Sequence, residues 1–183
     1  PQDAGSVRLA AQERGMRIRR PIRVVGDIAI VPLTRGYEAV ISLADLPIVE
    51  RFNWCVIVAP TKVYATRTEC GNGEKRYIYM HRAILNAPPG VLVDHRDGDG
   101  LNNQRSNLRF ATFGENARNQ RISKQNASGF KGVSWHTKGK RWVAQIKHEG
   151  EVIYLGGFTD PAEAHAAYCK ASAIYHGEFG RTA

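Results

Sequence analysis

Cysteine is scarce in this chain of 183 residues: Cys55, Cys70 and Cys169 are all there is, and no two form a CxxC pair. That excludes a disulfide framework and a cysteine-built zinc knuckle, leaving three free thiols as expected in a reducing cytoplasm. No run of about 18 apolar residues occurs, so no membrane-spanning helix is expected. The first twenty residues carry arginines but no apolar stretch, so no secretory signal is visible in them. Acidic residues are missing altogether from positions 116 to 148. That local absence says more than the net charge of +9.

The acid-free stretch carries Arg118, Arg121, Lys124, Lys131, Lys138, Lys140, Arg141 and Lys147. A second basic cluster, Arg8, Arg14, Arg17, Arg19, Arg20 and Arg23, lies near the beginning. Trp135, His136 and Trp142 are interleaved with the first cluster. Cations for phosphates and planar groups for bases or sugars make a polyanion-binding surface. An anionic membrane is the weaker partner, because no basic amphipathic helix with an apolar face is present.

Local patterning divides the chain. Residues 1–21 are polar and arginine-rich and read as a basic flexible arm. Residues 22–80 read as a β-rich region, with strands at 28–32, 37–42, 53–58, 63–66 and 76–80 and one short helix at 44–52. Residues 81–121 form a second unit. Its strands at 92–95 and 107–111 flank an Asp97-Gly98-Asp99-Gly100 turn, and Thr112 with Glu115 makes a capping box for a helix over 113–121. Asn102 and Asn103 are read as turn formers. Residues 122–128 are a polar linker. Residues 129–183 alternate like three antiparallel strands and end in a helix started by Asp160-Pro161. The class is α+β.

The central unit carries the chemistry. Asp94 offers a hard oxygen ligand of the kind Mg²⁺ or Mn²⁺ takes, and Asn116, early on the following helix, offers a neutral amide oxygen. His95 offers an imidazole, whose ordinary pKa near 6.5 suits a general base. Cleaving a phosphodiester needs a cation and a base held about one water apart. Adjacent strand residues face opposite ways, so Asp94 and His95 converge only where the strand ends, twists or bulges, and such an irregularity is expected. Asp97 and Asp99 do not complete a calcium loop, since His95 and Ser106 stand where its first and last carboxylates belong.

The elements Met80-His81-Arg82, Val93-Asp94-His95, Leu101-Asn102-Asn103, Ser106-Asn107-Leu108-Arg109 and Glu115-Asn116 resemble the HNH homing-endonuclease family, over residues 80 to 121. The resemblance implies a ββα-metal core, with His95 as general base, Asp94 and Asn116 as ligands of one Mg²⁺ or Mn²⁺ per site, and Asn107 bracing the hairpin loop. Asn116, not His, stands at the last ligand position, as in the phage intron-type branch. His81 is a candidate auxiliary, with a structural hydrogen bond as its other reading. Arg82, Arg105, Arg109, Arg118 and Arg121 are expected on DNA phosphates.

The segments FKGVSW, KRWVAQI, IYLGGFTDPAEAHAAY and HGEF resemble the Apetala-two/ethylene-response-factor DNA-binding domain, in which a three-stranded sheet enters the major groove with one helix behind it. The resemblance places DNA contacts on Lys131, Ser134, His136, Gln145, Lys147, Val152 and Tyr154. Ser134, His136 and Val152 replace arginines of the plant proteins, which leaves Lys131, Lys138, Lys140, Arg141 and Lys147 mainly to hold phosphate. Trp135 and Trp142 fall on the inward parity and are expected in the core.

The sequence therefore predicts a DNA endonuclease of a phage or mobile element, cutting duplex DNA in the cytoplasm of a bacterial or infected cell, as a monomer or homodimer. One alternative is a DNA-binding regulator with an inactive core. Another is an RNA binder, disfavoured because the sheet lacks an aromatic triplet.

Overall fold

The computed structural model describes residues 19–71, 73–123 and 125–182, so most of the amino-terminal arm and Lys124 of the linker lie outside it. The described residues form two compact units, one within 19–86 with 100–106, the other within 87–99 with 107–182. Among the described residues no helix is long and apolar enough to cross a membrane.

The first unit holds two sheets. Strands β1 (Arg23–Val25), β2 (Ile28–Pro32) and β3 (Glu38–Ser42) form an antiparallel meander. Alternation places Ala29 and Val31 of β2 and Ala39 and Ile41 of β3 in the core. The first hairpin turns at Gly26, whose φ of 60° favours a residue without Cβ. The second sheet comprises β4 (Cys55–Val58), β5 (Val63–Gly71) and β6 (Glu74–Tyr79). A 3₁₀ turn (Leu43–Asp45) leads into α1 (Leu46–Val49), and α2 (Met80–Ile84) follows β6. The helix expected over 44–52 is thus shorter and begins as 3₁₀. Trp54 is fully buried and donates from Nε1 to the Val49 carbonyl at 3.0 Å, which satisfies its one polar atom.

Asn102 and Asn103 differ from expectation. They form β8 (Asn102–Asn103), which joins β3 in parallel. Asn103 is completely buried and donates from Nδ2 to the Leu101 carbonyl at 3.1 Å. Two residues are too few to show a strand period, so the sequence reads only as turn.

The second unit begins with β7 (Leu92–His95) and β9 (Leu108–Ala111), paired antiparallel, followed by α3 (Phe113–Arg118). The capping box at Thr112 is present in both directions: the Thr112 hydroxyl accepts from the Glu115 amide, and the Glu115 carboxylate accepts from the Thr112 amide. The rest of the unit is an antiparallel sheet of β10 (Val133–His136), β11 (Arg141–His148) and β12 (Glu151–Phe158), covered by α4 (Pro161–Tyr175). Asp160 caps α4 through the Ala162 amide at 2.9 Å.

Ala144 and Ile146 of β11 meet Ala164, Tyr168 and Ala171 of α4. Between the partner pairs Ala144–Gly156 and Gln145–Tyr154 the register shifts by one residue, at Leu155. Ile153 and Leu155 pack inward while Tyr154 faces out, as strand alternation requires. Trp142 packs on this core, but Trp135 is 47% exposed and meets Trp142 edge-on at 5.1 Å between ring centres. Its expected core position is therefore corrected: it lies next to the end of β10 and is left largely open to solvent.

Gly132 has φ +74° and a Cβ added there would lie 2.0 Å from the ring of buried Tyr168. Gly132→Ala is expected to destabilise the protein by about 2 to 4 kcal/mol, combining overpacking with a strained backbone. Urea unfolding followed by tryptophan fluorescence checks this. A loss under about 0.5 kcal/mol would show that Tyr168 yields freely.

Candidate active site

The hairpin β7–β9 sets Asp94 directly opposite Arg109. Arg109 donates from Nε to Asp94 Oδ2 at 2.9 Å, and its Nη2 lies 2.9 Å from the same oxygen. Asn119, the residue that caps the end of α3, donates from Nδ2 to Asp94 Oδ1 at 3.1 Å and Oδ2 at 3.0 Å, and to the His95 carbonyl at 2.8 Å. Asp94 and His95 are 4% and 5% exposed. The ladder runs without a register shift through His95, where β7 ends. Of the irregularities expected at this pair, the strand's end is present and a bulge is not.

Asn107 closes the loop after β7. Its Oδ1 accepts from the Asp97 amide at 3.0 Å and its Nδ2 donates to Asp97 Oδ1 at 2.9 Å. Asp97 Oδ1 also accepts from the Asp99 amide at 2.8 Å. The Asp97 carboxylate is thus a loop staple, with Gly98 at φ 73° making the turn. Asn116 is half-buried on α3, and its backbone amide donates to the Thr112 carbonyl.

Sequence reasoning misses Asn119 and the cross-strand partner of Asp94. Asn119 stands three residues beyond Asn116, the spacing that keeps two side chains on adjacent parts of a helix face, so a signal is present. The Asp94–Arg109 pairing depends on hairpin register.

Arg109 also ties the hairpin to the end of the chain. Nη1 donates to the Glu178 carbonyl at 2.7 Å, and the guanidinium carbon sits 3.6 Å from the centre of the Phe179 ring. The Glu178 carboxylate pairs with Arg96, and Arg181 donates to the Asp97 carbonyl at 2.9 Å. With its side chain 6% exposed, Arg109 is an internal brace, which corrects its expected place on a phosphate.

Two further cations expected on DNA are engaged within their units. Arg105 donates from Nε to buried Asp45 at 2.9 Å and from Nη2 to the Ile84 carbonyl at 3.0 Å. Lys131 donates to the carbonyls of Arg118 and Gln120 at the end of α3, where the helix leaves acceptors unmatched. Burial, and then the nearby Arg181 charge, push the Lys131 ammonium down to about 8. His81, in the first unit, is buried with its ring against Tyr64 and Tyr79 at 5.5 Å each. Arg82 and Arg118 are half-buried on their helices, and Arg121 is exposed.

On the open face of the carboxyl-terminal sheet, Ser134, His136, Arg141, Gln145, Lys147, Val152 and Tyr154 are all exposed, as are Lys138 and Lys140 in the hairpin turn. That face is cationic and polar while the other is covered by α4. The three cysteines are free thiols.

Among the described residues no three His, Cys, Asp or Glu side chains cluster as metal ligands. Asp94 is the carboxylate at the end of β7. Among the described residues its Oδ1 accepts from Asn119 alone, while a carboxylate oxygen offers two lone-pair directions.

No family model matches the chain, and no solved structure matches it. The chain is 29% identical to "Uncharacterized HNH endonuclease L560" of Acanthamoeba polyphaga mimivirus over 123 residues, which is 67% of this chain and 58% of that protein. It is 35% identical to "Protein 3.8" of Escherichia phage T7 over 94 residues, 51% of this chain. Because that match takes in 77% of the phage protein, the chain belongs to the same family as Protein 3.8 of phage T7.

Proposed function

We propose that this chain is a metal-dependent HNH endonuclease that hydrolyses phosphodiester bonds in duplex DNA, with its carboxyl-terminal sheet reading or gripping the target. The observation that carries the reading is the strand-end pair Asp94-His95 on a hairpin whose loop is stapled by Asn107, with Asn119, at the end of the following helix, donating to Asp94 and to the His95 carbonyl. The name of the mimivirus relative points the same way.

Asp94 Oδ1 and the Asn116 amide would hold Mg²⁺ or Mn²⁺. Bound there, the cation supplies positive charge for the scissile phosphate and the departing oxygen. His95 takes the proton from the attacking water. Arg109 and Asn119 hold Asp94 in one orientation, and Asn119 fixes the main chain at His95. Both site side chains are shielded in this structure, so cleavage requires the groups around the end of β7 to part when DNA arrives. The resemblance to the homing enzymes implies 5′-phosphate and 3′-hydroxyl products.

One observation favours a second reading, DNA binding without cleavage: the Asp94 carboxylate is already compensated by a buried guanidinium. Supercoiled plasmid decides between them. Nicked or linear product is expected with Mg²⁺ or Mn²⁺ and none with EDTA. Intact plasmid under every divalent ion would transfer the assignment to the regulator.

A further inference from the structure

The first unit contains a cleft of about 290 Å³ lined by Arg19, Arg51, Phe52, Asn53, Arg67 and Thr68. Three guanidiniums line it and no carboxylate does. Arg67 is held in place: its guanidinium lies 3.9 Å over the Phe52 ring, Nη1 donates to Glu69 at 3.0 Å, and Nε is buried with no hydrogen-bond partner. Arg19 donates to the Glu50 carbonyl at 3.2 Å from an exposed position. Arg51 is exposed and has no ion pair among the described residues.

We infer that this cleft binds the phosphate backbone of duplex DNA, giving the amino-terminal unit a nucleic-acid contact of its own. Among the described residues only Arg67 of the three has a carboxylate partner, Glu69, so the gathered like charges still repel one another and a phosphate relieves that repulsion. The planar guanidinium donates to phosphate oxygens in two-pronged fashion. The half-exposed Phe52 ring offers an apolar surface for a sugar beside them. A polymer suits the site better than a free anion. In sequence, Arg19 follows Arg8, Arg14 and Arg17, a run that a single small ion does not need. The inference rests on the nuclease reading only in taking DNA as the polyanion.

The test uses the full chain carrying His95→Ala, in EDTA, so that no cutting occurs. Affinity for a fluorescent duplex of about 30 base pairs is measured across a KCl series, with and without Arg19→Gln and Arg51→Gln together. Each lost phosphate contact lowers the slope of log affinity against log salt by about 0.9, so a fall of nearly 2 is expected, with at least about tenfold weaker binding. Arg19→Lys with Arg51→Lys should keep most of the slope. Both arginines are exposed, so the melting temperature should not move, and the lysine pair keeps the test valid if the glutamine pair loosens the fold. Unchanged slope and affinity in the glutamine pair overturn the inference. So does saturable binding of inorganic pyrophosphate with an unaltered DNA slope, which would make the cleft a free-anion site. Failure of the wild-type chain to nick plasmid would sink the nuclease reading and leave this slope untouched.

Discussion

His95→Ala should reduce plasmid cleavage by about 10² to 10⁴-fold while leaving DNA affinity in EDTA within a factor of about two or three. The imidazole is the basic group at the end of β7, and no other His, Asp or Glu joins it and Asp94 in a cluster among the described residues. In the proposed mechanism a bound cation would still draw charge from the phosphate, but no side chain would remain to accept the water's proton. The fall should appear in kcat and not in KM, because the base acts on the attacking water and contributes little to holding DNA. Asp94→Asn is a poorer test, since it also strips the partner from a buried arginine. Cleavage by His95→Ala at more than about a tenth of the wild-type rate would remove His95 from the base role and turn attention to His81.

The parts of this fold that are legible in the sequence are those set by short-range rules. The β11 strand, WVAQI and its neighbours, alternates with period two, so the buried face at Ala144 and Ile146 and the exposed face at Gln145 and Lys147 follow directly. Thr112 and Glu115 mark the start of α3 by an exchange of hydrogen bonds three residues apart. The family resemblance assigns Asn107 a bracing role in the hairpin loop; in the structure its side-chain amide hydrogen-bonds Asp97. What is not legible depends on register and on distant chain. Arg109 looks in sequence like any other basic residue near a phosphate-binding motif. Only the pairing of β7 with β9 puts it opposite Asp94, and only the return of the chain after α4 gives it Glu178 and Phe179. Lys131 escapes sequence reading for the same reason: its acceptors belong to the end of α3, more than ten residues away. The β8 strand is invisible because its pairing partner, β3, lies some sixty residues earlier.

Arg109→Ala should destabilise the protein by about 3 to 5 kcal/mol, the cost of leaving a buried charge without its partner. Against the roughly 5 to 15 kcal/mol that holds a domain of ordinary size, that loss removes much of the folded state at physiological temperature. The truncation strands the Asp94 carboxylate in a site nearly closed to water, and it also removes the donor to the Glu178 carbonyl and the cation from the Phe179 ring. Arg109→Lys keeps the charge but not the fork. One ammonium cannot serve Asp94, the Glu178 carbonyl and the Phe179 face together, so a smaller loss, about 1 to 3 kcal/mol, is expected. A double-mutant cycle separates the pair from its surroundings. With Asp94→Ala added to Arg109→Ala, no bare carboxylate remains, and the double variant should be more stable than Arg109→Ala alone. Chemical unfolding of the four proteins measures all of this. Equal stability of Arg109→Ala and the double variant would mean that the cost lies with the chain's carboxyl-terminal contacts, and that Asp94 does not depend on Arg109. If the pair behaves as the geometry implies, the same guanidinium that holds the Asp94 carboxylate also anchors the segment after α4. Deleting residues from 178 onward should then lower cleavage as well as stability, although none of those residues belongs to the hairpin itself.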